Sequence, residues 1–332
     1  VLAPANTLLI MATRLDKRLP NTRGGALLSR TRERMKAALR VVKGSGTDAS
    51  NDRDGLADAE ASEPDAAVPR TRVARGTSSR ESYEAQAARL EARMQHDMRL
   101  ARTIQQRFLP SVPEVHNGVR MHASYCPAYE IVGDFYDLIE IDRYRFQVII
   151  GDVSGKGVAA ALIMSRIIAE FRRAAHSGLA PDQVLDDVNR FLFSRDLPAG
   201  FVTATCIEVD LKTRSLRLAN AGHLPTVARR KLTGATWMFG EASGAPLGML
   251  EGEVYSCETF YFEPGDIIVM VTDGVTEAIE PNADPSAGVL TGIVADGDCD
   301  LSKLTAEILE AVETSEQVRL ADDVALFAMQ LA

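Results

Sequence analysis

The stretch Ile149-Ile150-Gly151-Asp152-Val153-Ser154-Gly155-Lys156-Gly157 limits what this chain can fold into more than any other. A short apolar run bounded by glycines reads as a strand from a sheet interior. The glycines let the backbone turn tightly and launch a helix, Val158 to Ala175. Asp152 is therefore held on rigid backbone at the end of a buried strand. Other acidic spots share this design: Gly133-Asp134 before a strand, Thr272-Asp273-Gly274 after one, and Asp322-Asp323 before the last.

Each of these motifs alone is a weak signal, because Gly-Asp and Asp-Gly are common turn dipeptides. Their shared context makes the case. Carboxylates gathered at the ends of buried strands lose hydration and repel one another, and a cation keeps them ionised. Oxygen ligands without His or Cys point to a hard ion, Mg2+ or Mn2+. Two such ions lower the pKa of a water and hold a phosphoryl oxygen for in-line attack, which needs no nucleophilic side chain. That suits a chain with no convincing Ser-His-Asp or Cys-His signature.

With 332 residues, 46% of them hydrophobic, the chain has ample material for a core. A net charge of −9 argues against wholesale nucleic-acid binding. The 4 cysteines, Cys126, Cys206, Cys257 and Cys299, are far apart and without Cys-x-x-Cys pairing, so they read as reduced thiols and not as zinc ligands. No run approaches the roughly 18 apolar residues of a membrane span, and Thr7 to Ala12 lacks the flanks of a signal peptide. These features predict a cytoplasmic protein. The first residue is Val, consistent with either a fragment or a valine-coded start.

Taken in order, residues 1–80 predict a basic segment and then a mostly disordered linker rich in Asp, Ala, Ser, Gly and Pro. The basic part reads as a solvated tail or as an arm for an acidic partner or membrane surface. Residues 81–110 predict a helical linker, with Ala87, Leu90, Met94, Ala101, Ile104 and Phe108 at a and d spacing and Asp97 breaking the seam. This fits a coiled coil, and hence a homodimer, or a single helix docked on the next domain. Residues 111–332 predict one α+β domain. Strands come in runs (119–126, 135–141, 146–153; then 201–209, 215–219, 226–230, 254–262 and 266–271), with helices at 158–175, 181–193 and 301–312 before a last strand at 324–331. That order favours a central antiparallel β-sandwich flanked by helices over a doubly wound sheet. The helix at 158–175 is apolar nearly all round, which predicts burial on one side and a cover on the other.

The succession Gln105-Gln106-Arg107-Phe108-Leu109-Pro110, Gly133-Asp134-Phe135-Tyr136-Asp137, Gly151 to Gly157, Asn220-Ala221-Gly222-His223, Thr272-Asp273-Gly274-Val275-Thr276-Glu277 and Asp322-Asp323-Val324 resembles the SpoIIE/RsbU-type serine phosphatases. These are bacterial members of the metal-dependent, type-2C-like protein phosphatase superfamily. The resemblance implies an αββα sandwich with two Mn2+ or Mg2+ ions at one end. By the same analogy Asp152 bridges the ions and the Val153 carbonyl helps hold one. Asp273 and Asp322 hold the other, Asp134 acts directly or through water, and Asp323 stands behind them. The implied substrate is a phosphorylated anti-sigma-factor antagonist of the STAS type; the alternative is a fold-retaining binding module without turnover. The family commonly has two glycines before the first aspartate, where this chain has Val132-Gly133-Asp134, and a branched residue restricts that turn.

Rival readings are weaker. Gly151 to Lys156 does not meet the Walker spacing of Gly-x-x-x-x-Gly-Lys-Ser/Thr, so Lys156 is expected to cap or flank the helix start, with a minor part in attracting phosphate. Val132-Gly133-Asp134-Phe135 lacks the acidic residue that a cyclic-dinucleotide synthase signature carries before Phe. His223 reads as a phosphate contact or acid, or as a turn residue bonding neighbouring strands, and Trp237 as packing.

Overall fold

A computed structural model describes residues 77–128, 131–194, 200–279, 288–314 and 322–332. The basic segment expected in residues 1–43 lies outside them, as does most of the linker.

The chain enters as a long helix, α1 (Thr77–Gln106), followed by β1 (Val115–His116), β2 (Val119–Cys126), β3 (Phe135–Glu140) and β4 (Arg145–Val153). Two helices come next, α2 (Val158–His176) and α3 (Pro181–Ser194), and then β5 (Val202–Asp210), β6 (Ser215–Ala221), β7 (Thr226–Arg229), β8 (Thr236–Phe239), β9 (Glu258–Tyr261) and β10 (Ile267–Val271). The remainder is α4 (Asp273–Ile279), α5 (Val289–Asp296), α6 (Leu301–Thr314) and β11 (Val324–Gln330).

The strands form a 6-stranded sheet in the order β1-β2-β11-β10-β7-β8 and a 5-stranded sheet in the order β3-β4-β5-β6-β9. Every named strand pairing is antiparallel. Strand alternation then builds the layers. Val148 and Ile150 of β4 face Met121, Ile268, Met270 and Phe327 between the sheets. Ile149 and Val153, on the opposite face of β4, pack under Met164, Ile167, Phe171 and Leu185 of α2 and α3. On the other side, Val269, Val271 and Leu326 lie beneath Leu304, Ile308 and Val312 of α6. Each large side chain buried this way contributes about 1.5–3 kcal/mol of transfer free energy. The architecture is the expected αββα sandwich.

Several expectations need correction. The helix at 158–175 is not covered on its second side, since Val158 is 46% and Leu162 67% exposed. The strand expected over 254–262 shrinks to Glu258–Tyr261, with Val254 73% exposed. The helix α1 begins at Thr77, inside the expected linker, and it is not docked along its length: Leu90, Met94 and Ile104 are all exposed. Among the described residues no helix is long and apolar enough to cross a membrane.

Candidate metal centre

Asp152 shares the face of Val148 and Ile150, so its carboxylate emerges at the end of the inter-sheet core. Asp273 is the first residue of α4, which follows β10 after a single intervening residue, Thr272. Asp134 comes from the bend just before β3. One oxygen from each of Asp134, Asp152 and Asp273 lies within 4.8 Å of the other two. Thus one sheet delivers Asp134 and Asp152, and the other delivers Asp273.

Close backbone approaches shape the site. A Cβ on Gly133 would stand 2.6 Å from the Val153 carbonyl oxygen and 2.9 Å from Asp152 Oδ1, so only glycine lets this turn lie against the end of β4. The Gly133 carbonyl accepts the Val153 N–H at 3.3 Å. A Cβ on Gly274 would collide with the Asp323 carbonyl, so glycine is needed where α4 starts beside the entry to β11. Thr272 joins the parts. Its hydroxyl lies 2.6 Å from Asp134 Oδ2 as donor and accepts the Ala325 N–H at 2.9 Å.

Burial is the main cause that drives all three carboxyls above the ordinary carboxylate range. Repulsion adds to it: Asp152 and Asp273 raise Asp134, while Asp152, Glu277 and Asp322 raise Asp273. Asp152 is pushed up to about 7, with a hydrogen bond from Asp134 and the charge of Lys156 working in the other direction. Such a group pays a large electrostatic penalty for being ionised together, and a divalent cation among three converging oxygens removes it. The donor set therefore fits a hard ion.

The other expected site residues fall into distinct places. Asp322 is not in the three-carboxylate group. It stands close enough to raise Asp152 and Asp273, and it is held 3.1 Å from Lys156 Nζ. Lys156 flanks the start of α2, as one of the two expected placements had it, and is also an ion-pair partner of a site carboxylate; Gly157 occupies the N-cap without a side-chain bond. Asp323 is buried and accepts the Ala128 N–H at 2.8 Å. Gly151 pairs with Ala204 and Phe135 in the sheet. Asn220 braces the next turn, accepting the His223 N–H at 2.7 Å and donating to the His223 and Gly240 carbonyls. The buried His223 shares a hydrogen bond of 2.9 Å with Thr203, the residue opposite Asp152 in the β4–β5 ladder. Burial pushes the His223 imidazole down to about 4, so it is neutral at physiological pH. Asp137 points away from the centre, into a bidentate pair with Arg172 at 2.7 and 2.9 Å.

Sequence reasoning missed Thr272 as a site residue. Thr272 precedes a carboxylate at a strand end, a position where a hydroxyl reaches neighbouring backbone, and that signal was legible.

Comparison with known proteins agrees with the geometry. A family model for Stage II sporulation protein E (SpoIIE) matches residues 142–332, more than half of the chain. The chain belongs to the SpoIIE family. It is 33% identical over 186 residues to the phosphoserine phosphatase RsbP of Bacillus subtilis, covering 54% of this chain and 45% of that one. It is 26% identical over 242 residues to the phosphoserine phosphatase RsbU of the same organism, covering 73% and 72%. This SpoIIE-family chain therefore spans less than half of RsbP and about seven-tenths of RsbU. Among solved structures, the SiaA PP2C domain of Pseudomonas aeruginosa superposes with a TM-score of 0.63 at 18% identity, over 73% of this chain and 99% of that one. The PP2C phosphatase domain of Bacillus subtilis SpoIIE gives 0.58 at 19%, over 64% and 63%. These likenesses establish a PP2C-like fold.

Proposed function

We propose that this chain is a metal-dependent phosphoserine/phosphothreonine protein phosphatase. The observation that carries the reading is the convergence of Asp134, Asp152 and Asp273 within 4.8 Å at the end of a PP2C-like sandwich. The names of the relatives RsbP and RsbU as phosphoserine phosphatases support the same class.

In this reading Asp152, together with Asp134, Asp273, Asp322 and the Val153 carbonyl, would supply the oxygen donors that hold two Mn2+ or Mg2+ ions. When bound, the ions supply the charge that makes a water nucleophilic at neutral pH and offset the charge of the phosphoryl oxygens. The chain's own part is positional. Thr272 fixes Asp134, the β4 and β10 strand ends fix Asp152 and Asp273, and the buried sandwich keeps all three from relaxing apart. His223, buried and tied to Thr203, braces the Asp152 strand. Lys156, next to Asp322 at the partly exposed rim, places a positive charge where a phosphate arrives.

The substrate we infer from the family resemblance is a phosphorylated STAS-type anti-sigma-factor antagonist, in sigma-factor regulation in the cytoplasm. We also read α1 as a homodimerising coiled coil, because Leu90, Met94 and Ile104 of its a and d positions are exposed. The test of the activity is Mn2+-dependent release of phosphate from a phosphoserine-bearing STAS domain; binding of that domain without release would favour the non-catalytic module.

A further inference from the structure

We propose that Ser154 is a positioning residue for the carboxylate centre: its hydroxyl replaces a backbone carbonyl in the last rung between β4 and β5, and so holds the Val153 carbonyl toward the turn that carries Asp134. The inference rests on the reading of the centre as a metal site.

The β4–β5 ladder ends at the pair Val153 and Val202. Just beyond it, the Ser154 N–H donates to the Phe201 carbonyl at 2.9 Å. In an antiparallel rung of this kind the two residues exchange both N–H···O bonds, so the Phe201 N–H belongs on the Ser154 carbonyl. It goes instead to Ser154 Oγ, at 2.8 Å. The side chain completes the rung, and the main chain is free to leave the sheet. It leaves through Gly155, at φ +103°, a left-handed conformation that glycine adopts without a steric penalty. Space is kept for the hydroxyl on the other strand. A Cβ on Gly200 would collide with Ser154 Oγ, and Gly200 is not left-handed, so the close approach is what calls for glycine there.

The rung reaches the centre through one peptide plane. The Val153 carbonyl and the Ser154 N–H belong to the same trans peptide and point in opposite directions. With the N–H fixed on Phe201 in β5, the carbonyl is aimed the other way, at the Gly133 turn. There a Cβ added to Gly133 would stand 2.6 Å from its oxygen. Strand β3 begins only at Phe135, and among the described residues no hydrogen bond ends on this carbonyl. A buried carbonyl left without a donor is uncommon, and one lying beside Asp134 and Asp152 suits a hard cation. The β5 side of the rung is firmly seated. Phe201 packs with Ala245 and Met249, and Val202 exchanges bonds of 2.9 and 2.8 Å with Leu247. Without the hydroxyl, the peptide that aims the Val153 carbonyl is left on a single bond at the end of the ladder.

The experiment follows Mn2+ binding to the full chain by loss of the free-ion electron paramagnetic resonance signal, alongside the melting temperature in EDTA. Ser154→Ala is expected to raise the Mn2+ dissociation constant roughly tenfold, the scale for losing a group that orients a metal ligand. Ser154→Thr, which keeps the hydroxyl, should recover most of the affinity. Gly200→Ala crowds the hydroxyl without removing it and should also weaken binding; combined with Ser154→Ala it should add little, because both act on one contact. Phe201→Leu keeps the N–H and reduces only packing, so it should lower the melting temperature and leave the dissociation constant unchanged. An unchanged dissociation constant in Ser154→Ala would overturn the proposal, leaving the hydroxyl as a strand-end contact only. Should that variant fail to fold, Gly200→Ala reads the same quantity, and unchanged binding there would overturn it equally. Absence of Mn2+ binding by the wild-type chain would overturn the metal reading and this proposal with it.

Discussion

Thr272 holds Asp134 through a 2.6 Å hydrogen bond from its hydroxyl, bringing together residues 138 positions apart and from different sheets. The same oxygen accepts the Ala325 N–H at 2.9 Å, so one side chain stitches the end of β10 to β11 and to the carboxylate ahead of β3. The convergence of acidic groups is therefore built into the inter-sheet contact.

Replacing Thr272 by Val keeps the shape but deletes both bonds, leaving the buried Ala325 N–H without its acceptor. The expected cost is about 1–3 kcal/mol of stability, the scale of a buried group left unsatisfied. Thr272→Ser, which retains the hydroxyl, should recover most of it. Urea unfolding of both variants in EDTA checks this, and equal midpoints would show that the hydroxyl does not matter.

Metal-free protein should lose stability as pH rises from about 4 to 7. Asp152 is raised from 3.8 to about 7 in the fold, so in that window the folded state holds a proton that the unfolded state has released. Asp134 and Asp273, also raised, act in the same sense. His223, lowered to about 4, opposes them up to its ordinary value near 6.5, since there the unfolded state is the one that binds the proton. Three carboxyls outweigh one imidazole. The contribution of Asp152 alone, a rise from 3.8 to about 7, is on the order of 4 kcal/mol. Melting curves in EDTA should fall across this range, flatten in Asp152→Asn, and rise again at pH 7.5 on adding Mn2+. A pH-independent melting temperature would contradict the electrostatic account.

The apolar stripe on α1 predicts self-association. Leu90 and Met94, 61% and 56% exposed, would be covered in a parallel or antiparallel pair of helices. Sedimentation should show a dimer for the full chain and a monomer for the Leu90→Glu, Met94→Glu double variant, with phosphate release from the isolated monomer retained in kind. A monomeric wild type at micromolar concentration would leave the stripe to another partner.

How much of this was legible in the sequence depended on periodicity. Strands such as Val119–Cys126 and helices such as Pro181–Ser194 carry strong patterns, and their limits could be read closely. Strand β8 was missed because it is four residues long and only Phe239 in it is buried, too little to show alternation. Helix α4 was missed because Thr272-Asp273-Gly274 has the composition of a turn; the glycine is there for the close approach of the Asp323 carbonyl, and the helix starts through it. The three converging carboxylates were visible as strand-end residues. The Asp322–Lys156 pair was not, because contact across 166 positions leaves no periodic trace. The same is true of the pairing between the Gln105 amide and the Val132 backbone, a single contact across 27 positions.

The central claim is that the carboxylate group works as a metal site for phosphomonoester hydrolysis. The most direct measurement is phosphate release from a phosphoserine-bearing STAS domain, with Mn2+ and with EDTA, for wild type and Asp152→Asn. The account predicts release that requires Mn2+ and falls at least about a hundredfold in Asp152→Asn, the upper end of what losing even an orienting partner of a ligand costs, while circular dichroism stays unchanged. Release that persists in EDTA, or that survives in Asp152→Asn within a few-fold of wild type, would contradict it.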